Sequence, residues 1–113
     1  MNTPPPLSPF SQSSLELDAP AEVERISQLL KDYVFDKFRK KGGVVGISGG
    51  LDSSVVLALS AKVFGANRVL GVMMPERESS PDSADMAKRL AAHFGVATVT
   101  ENISGALEGF GCY

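Results

Sequence analysis

The sequence predicts an α/β fold on a parallel sheet, half of a doubly wound one, with an amphipathic helix in front of it. Three observations carry this. Short runs rich in apolar and β-branched residues recur at 44–47, 68–74 and 96–100. Segments of helical period lie between them, and Gly65, Pro75 and Gly95 mark the changes. A repeat of about 25 residues suits right-handed strand–helix–strand crossovers, which lay strands side by side in parallel.

Each element has its own signal. Proline and serine crowd Thr3 to Ser14, so residues 1–17 read as a disordered tail rather than a folded segment. Residues 18–113 read as the N-terminal part of one domain. Asp18 suits the N-cap of a first helix, with Pro20 and Glu22 in its first turn. Val23, Ile26, Leu29, Leu30, Tyr33, Val34 and Phe38 recur at spacings of three and four and form one apolar stripe. That stripe packs either on the domain or on a second copy of the chain, which leaves a homodimer through this helix open. Lys37, Arg39, Lys40 and Lys41 complement the helix dipole at the C-terminal end, and Gly42 and Gly43 stop the helix.

The strand at 44–47 is apolar on both faces, as a buried parallel strand is. Residues 53–64 are apolar almost all round, which predicts a heavily buried helix ended by Gly65. The strand at 68–74 follows, closed by Pro75. Ser80, Pro81 and Asp82 open a third helix as N-cap, first residue and dipole partner. Met86, Leu90, Ala91 and Phe94 make its inward stripe, and Gly95 stops it. After the strand at 96–100, no helix or strand is predicted beyond Ile103. The count of elements suggests the N-terminal portion of a longer enzyme.

Composition excludes several classes of function. The 113 residues are 43% hydrophobic and carry 11 Lys and Arg against 13 Asp and Glu, a net charge of −2. Such a balance gives no basic surface for nucleic acid and no electrostatic membrane anchor. No apolar stretch approaches the roughly 20 residues of a membrane span. The first residues have neither the positive start nor the apolar core of a signal peptide. Cys112 is the single cysteine, which rules out an internal disulfide and suits a reducing, cytoplasmic setting.

The chemistry concentrates in GISGGLDSS, residues 46–54, on the turn between the first strand and the next helix. Ligands collect at the carboxyl ends of parallel strands, where this turn lies. Gly49 and Gly50 let the backbone turn sharply and come close to a ligand. The N–H groups that open the following helix favour an anion, and Ser48, Ser53 and Ser54 add hydroxyls. The result is a phosphate cradle. It is not a Walker A loop, which needs a lysine, nor a dinucleotide G-x-G-x-x-G turn. Asp52 puts a carboxylate at an anion site, which makes sense when a divalent cation bridges it to phosphates.

SGGLDSS resembles the S-G-G-x-D-S loop of the ATP pyrophosphatase (PP-loop) superfamily, and the segment VLGVMMPERESSPDSADMAKRLAAHFGV is similar to the NAD synthetase family within it. The resemblance spans residues 44–103. It implies a PP-loop fold of the adenine nucleotide α-hydrolase kind, with ATP held by Gly46, Ile47, Ser48, Gly49, Gly50, Leu51, Asp52 and Ser53. It also implies Mg²⁺ on Asp52, with Met73 and Met74 near the adenine. The implied reaction is ligation: deamido-NAD is adenylated with loss of pyrophosphate, and ammonia then gives NAD and AMP.

No catalytic residue is identified. No glutaminase domain is read in these residues, so the resemblance implies ammonia that is free or delivered by a separate glutaminase. Another PP-loop enzyme of amide or sulfur transfer, or a non-catalytic nucleotide-binding or assembly piece, are the alternative readings. His93 reads as a surface histidine in a last helical turn, Cys112 as inert, and Tyr33 and Phe38 as core or interface residues.

Overall fold

The computed structural model describes residues 9–113, and a three-stranded parallel sheet lies at its centre. Its strands run in chain order, β1 (Gly43–Gly46), β2 (Val69–Met73) and β3 (Ala97–Thr100). Val45 sits opposite Gly71 between β1 and β2, and Gly71 sits opposite Thr98 between β2 and β3. Helices α2 (Leu51–Phe64) and α3 (Pro81–Phe94) make the two crossovers and touch each other. Two crossovers of one hand along strands in sequential order place both helices on the same face of the sheet.

Burial follows from that arrangement. Val45, Ile47, Val69 and Met73 point under the helices and are buried with Leu57 of α2, Ala87 and Ala91 of α3, and Val96. The opposite face carries Val44, Leu70 and Ala97 in one row, and Gly46, Val72 and Val99 in the next. Val44 is 70% exposed there. The expectation of strands buried on both faces therefore holds for one face only among the described residues. Likewise α2 buries Leu57, Ser60 and Phe64 but exposes Leu51 and half-exposes Val55 and Val56. An apolar circumference does not tell how many sides have a neighbour.

The first helix, α1 (Ala19–Leu30), starts where its cap chemistry puts it. The Asp18 carboxylate accepts from the Ala21 N–H at 3.1 Å. The helix then widens into a π-helical segment, Lys31–Lys37, closed by the Phe38 N–H donating to the Tyr33 carbonyl at 2.8 Å. Widening splits the apolar stripe in two. Leu30, Val34 and Phe35 pack on the core, where the Phe35 ring meets Phe64 edge-on at 5.6 Å. Leu29, Tyr33 and Phe38 are exposed.

Helix α3 begins as predicted, with the Ser80 hydroxyl accepting from the Asp82 N–H at 3.2 Å. Its inward stripe differs in one member: Met86 is 57% exposed, and Ala87 takes the buried position. Alanine is the residue that lets α3 lie close to the sheet and α2. The C-terminal stretch also differs from expectation, because Ser104–Gly109 form a short helix, α4. Of the expected tail, residues 1–8 lie outside the described residues, and Gln12–Leu15 form one exposed 3-10 turn. Among the described residues no helix is long and apolar enough to cross a membrane.

Candidate functional site

The first turn of α2 is built differently from those of α1 and α3. Asp18 and Ser80 cap their helices with side-chain oxygens, whereas Gly50 at the start of α2 has no side chain to offer. The first N–H groups of α2 are thus left for an outside acceptor, and the helix dipole makes an anion the favoured one.

Serine hydroxyls hold the preceding turn in shape. Ser53 Oγ accepts from the Ser48 N–H at 3.1 Å and lies 3.1 Å from Ser48 Oγ. Ser48 Oγ accepts in turn from the Gly50 N–H at 3.2 Å. The Ser54 hydroxyl donates to the Gly50 carbonyl. Gly49 has φ of +86°, and a Cβ built on it would stand 2.5 Å from the Ser83 carbonyl oxygen of α3. Glycine is needed here twice over, for backbone conformation and for space.

A cleft of about 510 Å³ opens beside this turn, at the carboxyl ends of all three strands. Gly46, Ile47, Ser48 and Ser53 line it from the β1–α2 side. Met73, Met74 and Pro75 line it from the end of β2, and Thr100 from the end of β3. Ser79, Ser80, Ser83, Ala84 and Lys88 complete the wall. Its size suits a nucleotide-sized ligand, and its mixture of apolar floor and converging hydroxyls is what such sites use. Lys88 is the one charged side chain on that lining among the described residues.

The residues singled out in the sequence fall into two groups. Gly46, Ile47, Ser48, Ser53, Met73 and Met74 come together around the cleft. Gly49, Gly50, Leu51 and Asp52 form the turn's tip and the first residues of α2 beside it, with Leu51 and Asp52 exposed. Sequence reasoning missed Lys88, Ser83 and Thr100. The α3 residues had a signal: Ser80, Ala84 and Lys88 are spaced by four and share one face of a helix.

A metal would find one carboxylate at the turn. No group of three or more His, Cys, Asp or Glu able to hold a metal ion occurs among the described residues. Asp52 alone fits a magnesium ion, which takes one or two carboxylates and completes its shell with phosphates and water.

Known proteins share both sequence and fold with the chain. The family model described as NAD synthase matches residues 22–111. The NH(3)-dependent NAD(+) synthetase of Mesorhizobium japonicum is 48% identical over 99 residues, covering 88% of this chain and 31% of that protein. The NH3-dependent NAD synthetase of Campylobacter jejuni superposes with a TM-score of 0.74 at 26% identity, over 83% of this chain and 40% of that one. A glutamine-dependent NAD+ synthetase from Acinetobacter baumannii, solved with ADP, gives 0.74 at 31% identity, over 88% and 19%. The chain spans about a third of the length of the curated relatives it matches. With the uncapped helix, the serine-held turn and these matches in place, the chain belongs to the NAD synthase family.

Proposed function

We propose that the chain holds Mg-ATP for an NAD synthetase-type ligation. The observation that supports it most is the uncapped start of α2 under a rigid Ser-Gly-Gly turn that opens on the cleft. In this reading the β- and γ-phosphates rest on the α2 N-terminus, with Ser48 and Ser53 donating hydroxyl hydrogens. The adenosine extends along the end of β2 towards Met73 and Met74. Asp52 would hold Mg²⁺, which neutralises charge on the departing pyrophosphate when bound.

The reaction follows from what the turn stabilises. A carboxylate oxygen of deamido-NAD attacks the α-phosphorus, and the bond to pyrophosphate breaks. Negative charge builds on the leaving pyrophosphate, where the uncapped α2 N–H groups are already placed; the serine hydroxyls, which bond each other in the turn, would swing to donate to it. Ammonia then attacks the acyl carbon of the adenylate; AMP leaves, the nitrogen loses a proton, and the amide of NAD remains. The exposed part of the first-helix stripe, Leu29, Tyr33 and Phe38, would form the surface of a homodimer. Ammonia would come free or from a separate glutaminase, and the free, exposed Cys112 suits a cytoplasmic setting.

Calorimetry with Mg-ATP, AMP and pyrophosphate tests the reading. ATP binding tighter than AMP binding, with competition from pyrophosphate, is the expected result. AMP binding as tightly as ATP, without that competition, would overturn it.

A further inference from the structure

The loop between β2 and α3 supplies Pro75, Ser79 and Ser80 to the cleft wall. It has little to hold it from within. The Glu76 N–H donates to Ser79 Oγ at 3.0 Å, the Ser79 N–H to the Glu76 carbonyl at 3.0 Å, and the Glu78 N–H to Glu76 Oε1 at 2.9 Å. Among the described residues, the other hydrogen bonds of residues 75–79 come from residues 103–113. The Ile103 N–H donates to the Pro75 carbonyl at 3.0 Å. Tyr113 donates its hydroxyl hydrogen to Glu76 Oε2, and the Tyr113 hydroxyl oxygen accepts from the Arg77 N–H at 3.3 Å. The Arg77 guanidinium lies over the Tyr113 ring, 4.1 Å from its centroid, and reaches Glu108 of α4 at 3.4 Å.

The geometry points to Tyr113 as a positioning residue: it clasps the β2–α3 loop so that the loop walls the adenosine side of the cleft. This rests on the nucleotide reading above and deepens it. An ion pair as exposed as Arg77–Glu108 contributes little by itself. The tyrosine ring and hydroxyl therefore carry the clasp, the ring by stacking under the cation and the hydroxyl by joining a carboxylate to a backbone N–H. Glu76 is the link, since one of its oxygens closes the loop on itself and the other ties it to Tyr113. None of the clasp's contacts involves residues 48–53, so in this reading it acts through the loop on the adenosine half of the ligand and not on the pyrophosphate.

The test uses the 113-residue chain as wild type, Tyr113→Phe and Tyr113→Ala. Tyr113→Phe keeps the ring under Arg77 and loses both hydroxyl contacts; Tyr113→Ala loses all of them. Amide hydrogen exchange at residues 76–79 should quicken about threefold in the first and about tenfold in the second, the scale of one or two hydrogen bonds. Exchange in β2 and the melting temperature should not move. Mg-ATP affinity should fall by a similar factor, with Mg-pyrophosphate affinity unchanged, a split that general loosening does not produce. Unchanged exchange at 76–79, or an equal loss for both ligands, overturns the clasp. Failure of the wild type to bind either ligand overturns the nucleotide reading instead, and the exchange data still decide the clasp.

Discussion

At Gly49 a single hydrogen atom in place of a methyl group decides whether α3 can lie against the Ser-Gly-Gly turn. Gly49→Ala meets both the cost of φ near +86° and a clash with the Ser83 carbonyl. We expect a loss of about 1–3 kcal/mol in stability, read by denaturant titration, together with weaker ATP binding. Asp52 answers to a different force. It is exposed in the first turn of α2, where a neutral side chain fits equally well. Asp52→Asn should therefore lower the melting temperature little while weakening Mg²⁺-dependent ATP binding by tenfold or more, about 1.4 kcal/mol. A large drop in the melt with unchanged metal dependence would show a helix-start residue and nothing else. The pair also shows what is legible in sequence. The glycine and the carboxylate stand out as residue types, but the neighbour that forbids a Cβ at Gly49 comes from 34 residues further on and has no local signature.

Among the elements, those with chemistry at both ends were readable and those defined by neighbours were not. Asp18 and Ser80 cap where expected because a cap is a contact within one turn. Helix α4 escaped notice because its six residues include two glycines and are too few to show a period. A signal was nevertheless present, since the Asn102 side chain accepts from the Ser104 N–H at 2.9 Å just ahead of it. The π-helical widening after α1 was invisible for another reason: it carries Phe35, whose ring meets Phe64, and only the fold brings those rings together. Phe35→Ala should cost about 2 kcal/mol, less than a fully buried phenylalanine, because the ring is only partly covered. Ser27 offers a contrasting check on the same packing. Its Oγ is buried in α1 without a hydrogen-bond partner among the described residues. Ser27→Ala should raise stability by about 1 kcal/mol, measured by thermal melt, because the methyl leaves no polar atom dry.

For the whole molecule the deciding feature is the sheet face away from α2 and α3. Val44, Leu70, Val72 and Val99 line it, and parallel sheets are normally covered on both sides by helices. Curated relatives run to about three times the span shared with this chain. The sequence foretold a half-sheet by counting strands, but it could not tell which face would be left bare, since both faces of β1 and β2 are apolar. We expect the 113-residue chain to form no NAD by itself. The cleft explains why: the wall shared by β1, β2, β3 and α3 can take a nucleotide, yet Lys88 is its one charged side chain among the described residues. An anionic dinucleotide bound beside that nucleotide has no further charged anchor on this lining among the described residues. Without an anchored acceptor, its carboxylate is not held against the α-phosphorus, and orientation of that kind supplies roughly 7–11 kcal/mol of a barrier. ATP should bind and wait. The assay is NAD formation from deamido-NAD, Mg-ATP and ammonium on purified chain of confirmed mass. Steady turnover that vanishes in Asp52→Asn would show that these strands and helices already contain an acceptor site.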